Sequence, residues 1–329
     1  MIRNTVLSRD SGAVPARTTI GSSERIVHLL GRKPVRALMA RRNGPGLLFL
    51  FLHATAIATT GTLVWASLDT FWVAPAIFIH GIMIVHLFAP FHECCHRTAF
   101  RSRWLNESVY WCCGLILGLM PLAFRFQHAD HHTYTQDRER DPQMIAMGER
   151  LSGYLFYASA LPYFAAILKS LLLHALGRFN PAERRYLPSH MLGTVRLQAW
   201  IFWGGYLFLG AASVWLESWF AVIYWLLPRL VGEPVERIIR LSEHTACSHS
   251  PDMLENSRTI VTWRPVRWLS WNMPFHTAHH AVPLVPFHAL PTLSAMLTGH
   301  LCEVRQGYVD AVAFQLSRAS GHRTRPTQD

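Results

Sequence analysis

The chain alternates between long apolar runs and short polar stretches, and its first two long runs are almost continuous. They cover residues 46–68 and 71–90, and only Asp69 and Thr70 separate them. Each run is close to the ~20 residues that a helix needs to cross a bilayer. The pattern predicts two membrane-spanning helices joined by a tight turn.

A second pair of spanning helices is predicted at 197–216 and 219–231. Trp215 and Trp219 fall at the tip of this pair, as aromatic side chains commonly do at the boundary between membrane and water. We therefore predict an all-α integral membrane protein. Its four transmembrane helices form two hairpins, and further helices lie at the membrane interface.

The composition agrees with a membrane protein. Hydrophobic residues make up 50% of the 329 residues, charged residues only 16%, and the net charge is +11. Positive charge collects in the cytoplasmic loops of membrane proteins. Nucleic-acid binding is not expected, because no recognition motif accompanies the charge. The six cysteines include no CxxC pair, which argues against a zinc ribbon or a thioredoxin-type site.

The two ends of the chain are polar. Residues 1–45 carry mostly Arg and Lys among their charged side chains and contain no long apolar run. We interpret them as a basic cytoplasmic arm rather than a secretory signal peptide. Residues 316–329 are interpreted as a polar, disordered tail, which leaves 46–315 as the membrane domain.

Three short clusters contain eight of the 19 histidines. In two clusters the spacing is i, i+3, i+4, which places three imidazoles on one face of a helix; in the other it is i, i+4. Clustered imidazoles are typical metal ligands, and these exceed the needs of one ion. The sequence predicts two metal ions in one shared site, held by His92, His96, His128, His131, His132, His276, His279 and His280.

A shared site requires all three clusters to lie on one face of the membrane. For this reason we interpret the run 109–124, between the first two clusters, as an interfacial or re-entrant segment. The run 152–174 is long enough to cross, but Pro162 would bend a helix and Lys169 interrupts the apolar character. Arginines follow that run, so we expect it to stay on the cytoplasmic side.

Two other classes of protein could use such histidines. His92-Glu93-x-x-His96 has the spacing of a zinc protease, with Glu93 as its general base. That interpretation leaves the histidines of the other two clusters without a role. A metal transporter would place its ligands near the middle of the bilayer, whereas these clusters lie just outside the predicted spanning helices.

The three clusters together resemble the histidine boxes of the membrane fatty acid desaturases and their relatives, the hydroxylases and carotenoid ketolases. The boxes are HECCH at 92–96, HADHHTYTQDRERDPQ at 128–143 and NMPFHTAHHAVPLVPFHALPTL at 272–293. The likeness extends over about residues 46–315. It implies a non-haem centre of two Fe ions, a helical cone in the membrane and a cytosolic histidine-rich cap. The eight histidines are then ligands and catalytic residues.

The resemblance also implies a function. An O2-dependent desaturase would introduce a C=C bond into a fatty acyl or lipid chain; hydroxylation or ketolation of a lipid, carotenoid or specialised metabolite is the alternative. Electrons must come from an external donor of the ferredoxin, rubredoxin or cytochrome b5 type, because the chain has no flavin or nucleotide fingerprint. The expected location is a bacterial inner membrane, with the active site and both termini in the cytoplasm.

Several other polar residues are candidates for the site. His244 is expected as a ninth metal ligand, because relatives carry an extra histidine between the second hairpin and the third box. Asn272 lies one helical turn before His276 and is a candidate to hold a water molecule on an iron. The carboxylates considered as partners of the ligands are Glu93, Asp130, Asp137, Asp141 and Glu243.

Further histidines are interpreted as structural. His288 falls in the Pro-rich turn after the third box, and His53, His80 and His86 lie within predicted crossings. Ionisable residues inside a membrane are often functional. We favour a neutral His80 bonded to a neighbouring helix, and His80 or His86 lining the substrate tunnel is the alternative.

Overall fold

The computed structural model describes residues 22–321 and is mostly helical. The basic arm is described from Ser22 onward, as the two short helices α1 (Ser22–Leu30) and α2 (Arg32–Leu38). Ile26 and Val35 are buried in the main hydrophobic core, and Arg25 forms an ion pair with Asp252. This half of the arm therefore packs on the protein. Residues 1–21 and 322–329 lie outside the described residues.

Three helical stretches are long and apolar enough to cross a membrane, by length and composition. They are Asn43–Ser67, Val73–Cys95 and Ser189–Trp215. The individual helices in these stretches are α3 (Asn43–Ser67), α4 (Val73–Val85), α5 (Phe88–Cys95) and, after a 3-10 turn at Ser189–Met191, α11 (Leu192–Trp215). They correspond to three of the four predicted crossings.

Two bent pairs of helices could raise the number of spans to five if each pair crosses. The first pair, α6 (Arg103–Leu117) and α7 (Pro121–Tyr134), meets at 99°. Gly118 ends α6 with a φ of 74°, and Pro121 starts α7 at its first turn, where its missing N–H costs nothing. Such a bend occurs in a broken span as well as in a re-entrant loop, so the predicted interfacial or re-entrant segment stays a prediction.

The second pair, α8 (Leu151–Ala158) and α9 (Leu161–Ala175), is bent by 60°. Its break lies at Ser159 and Ala160, just before Pro162, where the sequence predicted a bend. Ala160 adopts a positive φ of 63°, and Pro162 lies in the first turn of α9.

The count of four crossings remains a prediction. The helix that contains the predicted fourth crossing is too polar to be counted among the helices long and apolar enough to cross a membrane.

That fourth region forms a π-helical turn at Val222–Leu226 followed by α12 (Leu227–His244). The helix continues well past the predicted end at residue 231. Its buried face carries three basic and three acidic side chains, which we call the α12 ion-pair ladder. Its members are Arg229, Glu233, Glu236, Arg237, Arg240 and Glu243.

The ladder is paired along the helix. Glu233 pairs with Arg229 and, at 2.8 Å, with Arg237, while Arg240 lies 3.1 Å from Glu236 and 2.6 Å from Glu243. Buried charges are tolerated when they are paired in this way.

Glycine allows α12 to approach α4 very closely. A Cβ atom on Gly81 would overlap the carbonyl of Pro228, and one on Gly232 would overlap the backbone of Gly81. Small residues at such crossings let helix backbones meet in membranes. The contact fixes α12 against α4, and the end of α12 places His244 beside His131, His276 and His280.

Most of the remaining elements lie in the part of the chain that follows α12 and contains the third box. They are α10 (Glu183–Tyr186), α13 (Met253–Asn256), β1 (Thr259–Val261), α14 (Arg264–Leu269), α15 (His276–Ala281), α16 (Leu290–Met296), β2 (Val304–Gln306) and α17 (Gly307–Ala319), with short 3-10 turns at Ala146–Glu149, Phe287–Ala289 and Thr298–His300.

Two findings here differ from the sequence-based expectation. β1 and β2 pair in parallel, with Ile260 opposite Arg305, so the chain is not purely α-helical. The predicted disordered tail from residue 316 is helical as far as Ala319, because Ala311 and Gln315 bury one side of α17.

The main core lies beneath the histidine boxes. Many of its buried residues come from α5, α6, α15 and α16, and they include the fully buried Phe91 and Tyr110. The Tyr110 hydroxyl donates to the carbonyl of Pro121 over 2.7 Å and so ties α6 to α7. The box helices are thus held by apolar packing on the side away from their imidazoles.

Candidate metal centre

Each histidine box lies on or at the end of a short helix, which presents its imidazoles on one face. His92 lies in α5 and His96 directly follows it, α7 carries the three histidines of the second box, and α15 carries those of the third. The i, i+3, i+4 spacing therefore works as the sequence predicted. The structure brings all eight box histidines together, and α12 adds His244 at its C-terminal end.

Five of these histidines form one group. Their ring nitrogens lie within 4.8 Å of one another, and every ring is buried or half-buried. The His132 Nε2 atom lies 3.0 Å from His128 Nε2 and 3.1 Å from His279 Nε2. The members of this first group are His92, His96, His128, His132 and His279.

A second group lies directly beside the first. It contains His131, His244 and His280, again with ring nitrogens within 4.8 Å of one another. The Nε2 atom of His276 lies 2.9 Å from that of His244, so His276 belongs with this group. The rings of His132 and His280 stack with centroids 4.2 Å apart and join the two groups. Two adjacent groups of imidazoles match the predicted site for two metal ions.

The protonation of the rings fits metal binding. Three of them contact acceptors through Nδ1: His128 with the Gln143 carbonyl at 2.9 Å, His131 with Asp141 at 2.8 Å and His244 with the Asn256 carbonyl at 3.0 Å. An acceptor requires the ring nitrogen to donate, so Nδ1 carries the proton. The Nε2 lone pair of each ring is then free for a metal.

Burial keeps the third-box rings neutral. It lowers the pKa of His276, His279 and His280 well below the ordinary value, and neighbouring imidazoles lower it further. Burial and the nearby His131 ring lower the pKa of His244 to about 3. Neutral imidazole is the form that binds a metal.

Several ring nitrogens are buried without a hydrogen-bond partner among the described residues. Buried polar atoms are normally satisfied, and a group of orphaned atoms calls for a specific cause. The unpaired atoms are His92 Nδ1 and Nε2, His96 Nε2, His132 Nδ1, His276 Nδ1, His279 Nδ1 and His280 Nε2. His96 Nε2, His280 Nε2 and one nitrogen of His92 are available to the two groups, which fits a pair of metal ions. His132, His276 and His279 already direct Nε2 into the groups, so their Nδ1 atoms are not the ligand atoms.

Asp141 is the carboxylate most closely integrated into the site. It accepts from His131 Nδ1 and from the backbone N–H groups of Gln136 and Gln143. Burial alone would raise the pKa of this carboxyl group, and the His131 ring together with the two N–H groups outweighs burial and lowers it. Asp141 therefore stays ionised and fixes the orientation of His131.

The other candidate carboxylates have different environments. The Glu243 carboxylate lies 3.4 Å from His276 Nδ1 and also pairs with Arg240. Asp137 accepts from the backbone N–H groups of Glu139 and Arg140 in an exposed turn. Asp130 is half-buried and has no hydrogen-bond or ion-pair partner in the described part of the chain.

Glu93 does not face the metal groups as a zinc protease would require. Its carboxylate accepts the backbone N–H of Phe287 over 3.0 Å and so links the first box to the turn after the third. The residue is fully buried. Together with the seven other histidines around His92 and His96, this orientation argues against the protease alternative.

The side chain of Asn272 also bonds to the turn that follows the third box. Its amide donates to the carbonyl of Phe287 over 3.1 Å, and its backbone adopts a φ of 59°. A water-holding role for Asn272 stays a prediction. His288 is half-buried in the 3-10 turn Phe287–Ala289, as expected for a structural residue.

The histidines within the apolar helical stretches Asn43–Ser67 and Val73–Cys95 contact neighbouring helices or their own backbone. His80 lies between the Thr60 hydroxyl, at 2.8 Å, and the carbonyl of Tyr224 in the π-helical turn, at 3.1 Å. His53 contacts the carbonyl of Met83, and His86 that of Ile82, each at 2.8 Å. Both ring nitrogens of His80 are satisfied, which supports the structural interpretation.

Two partners of the ligands were missed by sequence reasoning. Gln143 holds His128, and the Thr135 hydroxyl, 3.2 Å from His280 Nδ1, also donates to the carbonyl of His131 over 2.6 Å. Both residues lie inside the second box, Thr135 three positions after His132 and Gln143 two positions after Asp141. Their position next to Asp141 and His132 was the only signal in the sequence.

Comparison with known proteins identifies relatives along most of the chain. A sphingolipid delta(4)-desaturase of Drosophila melanogaster is 26% identical over 231 residues, which cover 67% of this chain and 64% of the relative. A human sphingolipid delta(4)-desaturase is 25% identical over 277 residues, 82% of this chain and 79% of the relative. A rat sphingolipid delta(4)-desaturase/C4-monooxygenase is 23% identical over 276 residues, again 82% and 79%.

The sequence model of the fatty acid desaturase family matches residues 69–310 of this chain. These residues include all three boxes and His244. The apolar helices and the histidine groups of this protein agree with a membrane oxidoreductase of this kind. The chain therefore belongs to the fatty acid desaturase family.

Proposed function

We propose that the protein is an O2-dependent oxidoreductase with two Fe ions, which introduces a C=C bond into the chain of a membrane lipid. The observation that carries the proposal is the convergence of nine histidines into two adjacent groups at the end of an apolar helix. An all-imidazole ligand set suits iron. The position next to apolar helices suits a substrate that arrives from the bilayer.

The residues that would hold the metal are the nine histidines, and Asn272 remains a candidate for a bound water. Iron held there would supply the activation of O2 that removal of hydrogen from an unactivated C–H bond requires. Residues of the chain orient the ligand rings. Gln143, Asp141 and the Asn256 carbonyl each accept from the Nδ1 atom of one ring, those of His128, His131 and His244 respectively. Burial of the rings excludes bulk water from the reacting groups.

The overall reaction defines the partners. Dioxygen takes two hydrogen atoms from the lipid, and two electrons and two protons from outside, and it leaves as two water molecules. The electrons are assigned to a protein donor of the ferredoxin, rubredoxin or cytochrome b5 type, because the chain has no nucleotide or flavin fingerprint.

Hydroxylation is the second candidate, and one comparison favours it specifically. The rat relative carries both activities in its name, a delta(4)-desaturase and a C4-monooxygenase. The two reactions share the first hydrogen removal and differ only in whether a second hydrogen or an oxygen atom is transferred. The substrate class is proposed to be a sphingolipid-like or acyl lipid.

We also propose that four crossings place all three boxes and both termini on the cytoplasmic side, in a bacterial inner membrane. A reporter fused after residue 70 is expected outside, and one fused near residue 186 inside. Enzymatic reporters active on only one side of the membrane would measure this. A reporter near 186 found outside would mean that the bent pair Leu151–Ala158 and Leu161–Ala175 crosses.

The proposed function is tested with purified protein in lipid nanodiscs, reduced by a ferredoxin system. We expect about two Fe per chain, and a lipid product that has lost two hydrogen atoms, measured by mass spectrometry. Removal of iron by a chelator should abolish the product, and Fe(II) should restore it. Recovery with Zn(II) alone, or a product cleaved at a peptide bond, would contradict the proposal.

A further inference from the structure

The ninth histidine is the last residue of its helix, so its position depends on how that helix ends. Helix α12 ends at His244, and the last four carbonyl groups of an α-helix find no N–H partner within it. Three carbonyls at this end, those of Ser242, Glu243 and Thr245, accept hydrogen bonds from a single residue, Arg258. The guanidinium donates to Ser242 and Thr245 and the backbone N–H to Glu243, each over 2.9 Å. Arg258 therefore caps the helix that carries His244.

This capping side chain is charged and completely buried. The exposed fraction of Arg258 is 0%. A buried cation needs compensating negative charge. The C-terminal end of a helix provides about half a negative charge, and the Glu303 carboxylate lies 3.6 Å from the guanidinium. The cost of burying this cation is therefore offset in full only while the end of α12 stays in place.

The two residues before Arg258 connect the same helix end to the third box. The Nδ1 atom of His244 donates to the Asn256 carbonyl over 3.0 Å. The Ser257 carbonyl accepts the hydroxyl of Thr277, which lies in α15, over 2.9 Å. Both residues are fully buried, like Arg258. Residues 256–258 therefore fix the end of α12 relative to the helix of the third box.

Arg258 lies behind the metal centre rather than in it. None of the contacts of its guanidinium in the described part of the chain involves a histidine of the centre. It acts on the position of His244, whose Nε2 atom lies 2.9 Å from that of His276. The five histidines of the first group lie on α5, α7 and α15 or directly after α5, and none lies on α12. Loss of the cap would thus reach only the second group through α12.

We propose that Arg258 is a positioning residue for the second metal ion, because its guanidinium holds the end of α12 so that His244 reaches the second histidine group. This inference rests on the proposed function, since His244 is itself a proposed ligand. It has the consequence that the two groups depend differently on the fold. The first group is built from the three boxes alone, whereas the second also requires the correct end of α12.

The test is an anaerobic titration of the metal-free, full-length protein in lipid nanodiscs with Fe(II), which gives the number of ions bound and the affinity for each. Arg258→Gln removes the charge, and its shorter amide cannot reach both carbonyls. We expect the affinity for one Fe(II) to fall about 10-fold to 100-fold, and the affinity for the other to change less than about twofold. Equal weakening of both ions, or of neither, would overturn the inference.

Arg305→Gln is the matched control. Arg305 lies 4.0 Å from the same Glu303 carboxylate, and the guanidinium groups of both arginines lie near the Phe314 ring, at 3.6 Å for Arg305 and 5.4 Å for Arg258. None of the hydrogen bonds or ion pairs of Arg305 within residues 22–321 reaches α12. We expect both Fe(II) affinities to stay within about twofold of wild type. Loss of one ion in this variant too would assign the effect to the charge around Glu303 and overturn the inference.

A double-mutant cycle shows whether Arg258 acts through His244. His244→Ala alone is expected to weaken the same Fe(II), and adding Arg258→Gln should weaken it less than about twofold further. Additive losses would mean that Arg258 supports the site by another route. That result, or unchanged Fe(II) binding in His244→Ala, would also overturn the inference.

Arg258→Lys decides if Arg258→Gln does not fold. Lysine keeps the charge but caps one carbonyl at a time, so we expect the affinity for one Fe(II) to fall about threefold to tenfold. Wild-type affinity for both ions in folded Arg258→Lys would rule out the positioning role.

Lipid oxidation separates this inference from the proposed function. A protein that binds two Fe(II) and loses one in Arg258→Gln, but yields no oxidised lipid, would refute the proposed function and support the positioning role. Oxidised lipid from the wild type, with both ions kept in Arg258→Gln and Arg258→Lys, would refute the positioning role alone.

Discussion

Replacement of His279 by Ala is expected to abolish lipid oxidation and to leave at most about half of the wild-type iron. His279 belongs to the five-histidine group, and its Nε2 atom lies 3.1 Å from His132 Nε2. It is fully buried, so neither water nor a neighbouring side chain can take its place without rearrangement. Iron is measured by elemental analysis and activity by mass spectrometry of the lipid product.

His80→Asn is the matched control for this variant. His80 is also buried, but it bonds Thr60 and the carbonyl of Tyr224 rather than the metal groups. We expect full iron content and retained activity. The free energy of unfolding should fall by about 1–3 kcal/mol, because polar groups are left unpaired. Full iron and activity in His279→Ala, or loss of iron in His80→Asn, would show that the ligands have been misassigned.

Asp141→Asn is expected to reduce iron affinity or activity by about 10-fold to 100-fold. The amide keeps the size of the carboxylate, and its oxygen can still accept from His131 Nδ1 and the backbone N–H of Gln143. It removes the negative charge and the second oxygen, which accepts from the backbone N–H of Gln136. His131 then becomes a weaker and less well-oriented ligand. Titration of the apoprotein with Fe(II) gives the affinity directly.

Asp137→Asn is the matched control, because it removes the same negative charge from the same loop. The Asp137 carboxylate is exposed and caps a turn by accepting from Glu139 and Arg140, so its loss should change iron affinity less than about twofold. A similar loss in both variants would mean that the loop as a whole, rather than the contact of Asp141 with His131, maintains the site.

The site was more predictable than the fold because its spacing is local. A helix places i, i+3 and i+4 together whatever surrounds it, so His276, His279 and His280 could be grouped from sequence alone. His244 could not, because its approach to His276 depends on how α12 packs on α4. Its assignment came from the resemblance to the family.

The parts of the fold that sequence reasoning missed depend on distant contacts. β1 pairs with β2, more than forty residues later, and neither three-residue strand has a pattern of its own. The burial of the α12 charges also arises from packing. Because the helix continues through these charged residues to His244, the end of the apolar run at 231 did not predict the end of the helix. The break before Pro162 was predictable because proline acts on its own helix.

The α12 ion-pair ladder affects how the protein is made. Gly81 lies in the middle of the stretch Val73–Cys95 and touches Pro228 and Gly232, so Arg229 and Glu233 lie at the depth of that helix. During translocon-mediated insertion each isolated charge at the centre of a helix costs about 2.5–3.5 kcal/mol. In the proposed topology of four crossings, we therefore expect α12 to enter the bilayer with its charges already paired and with α4 in place, so that insertion of the second hairpin would depend on the first.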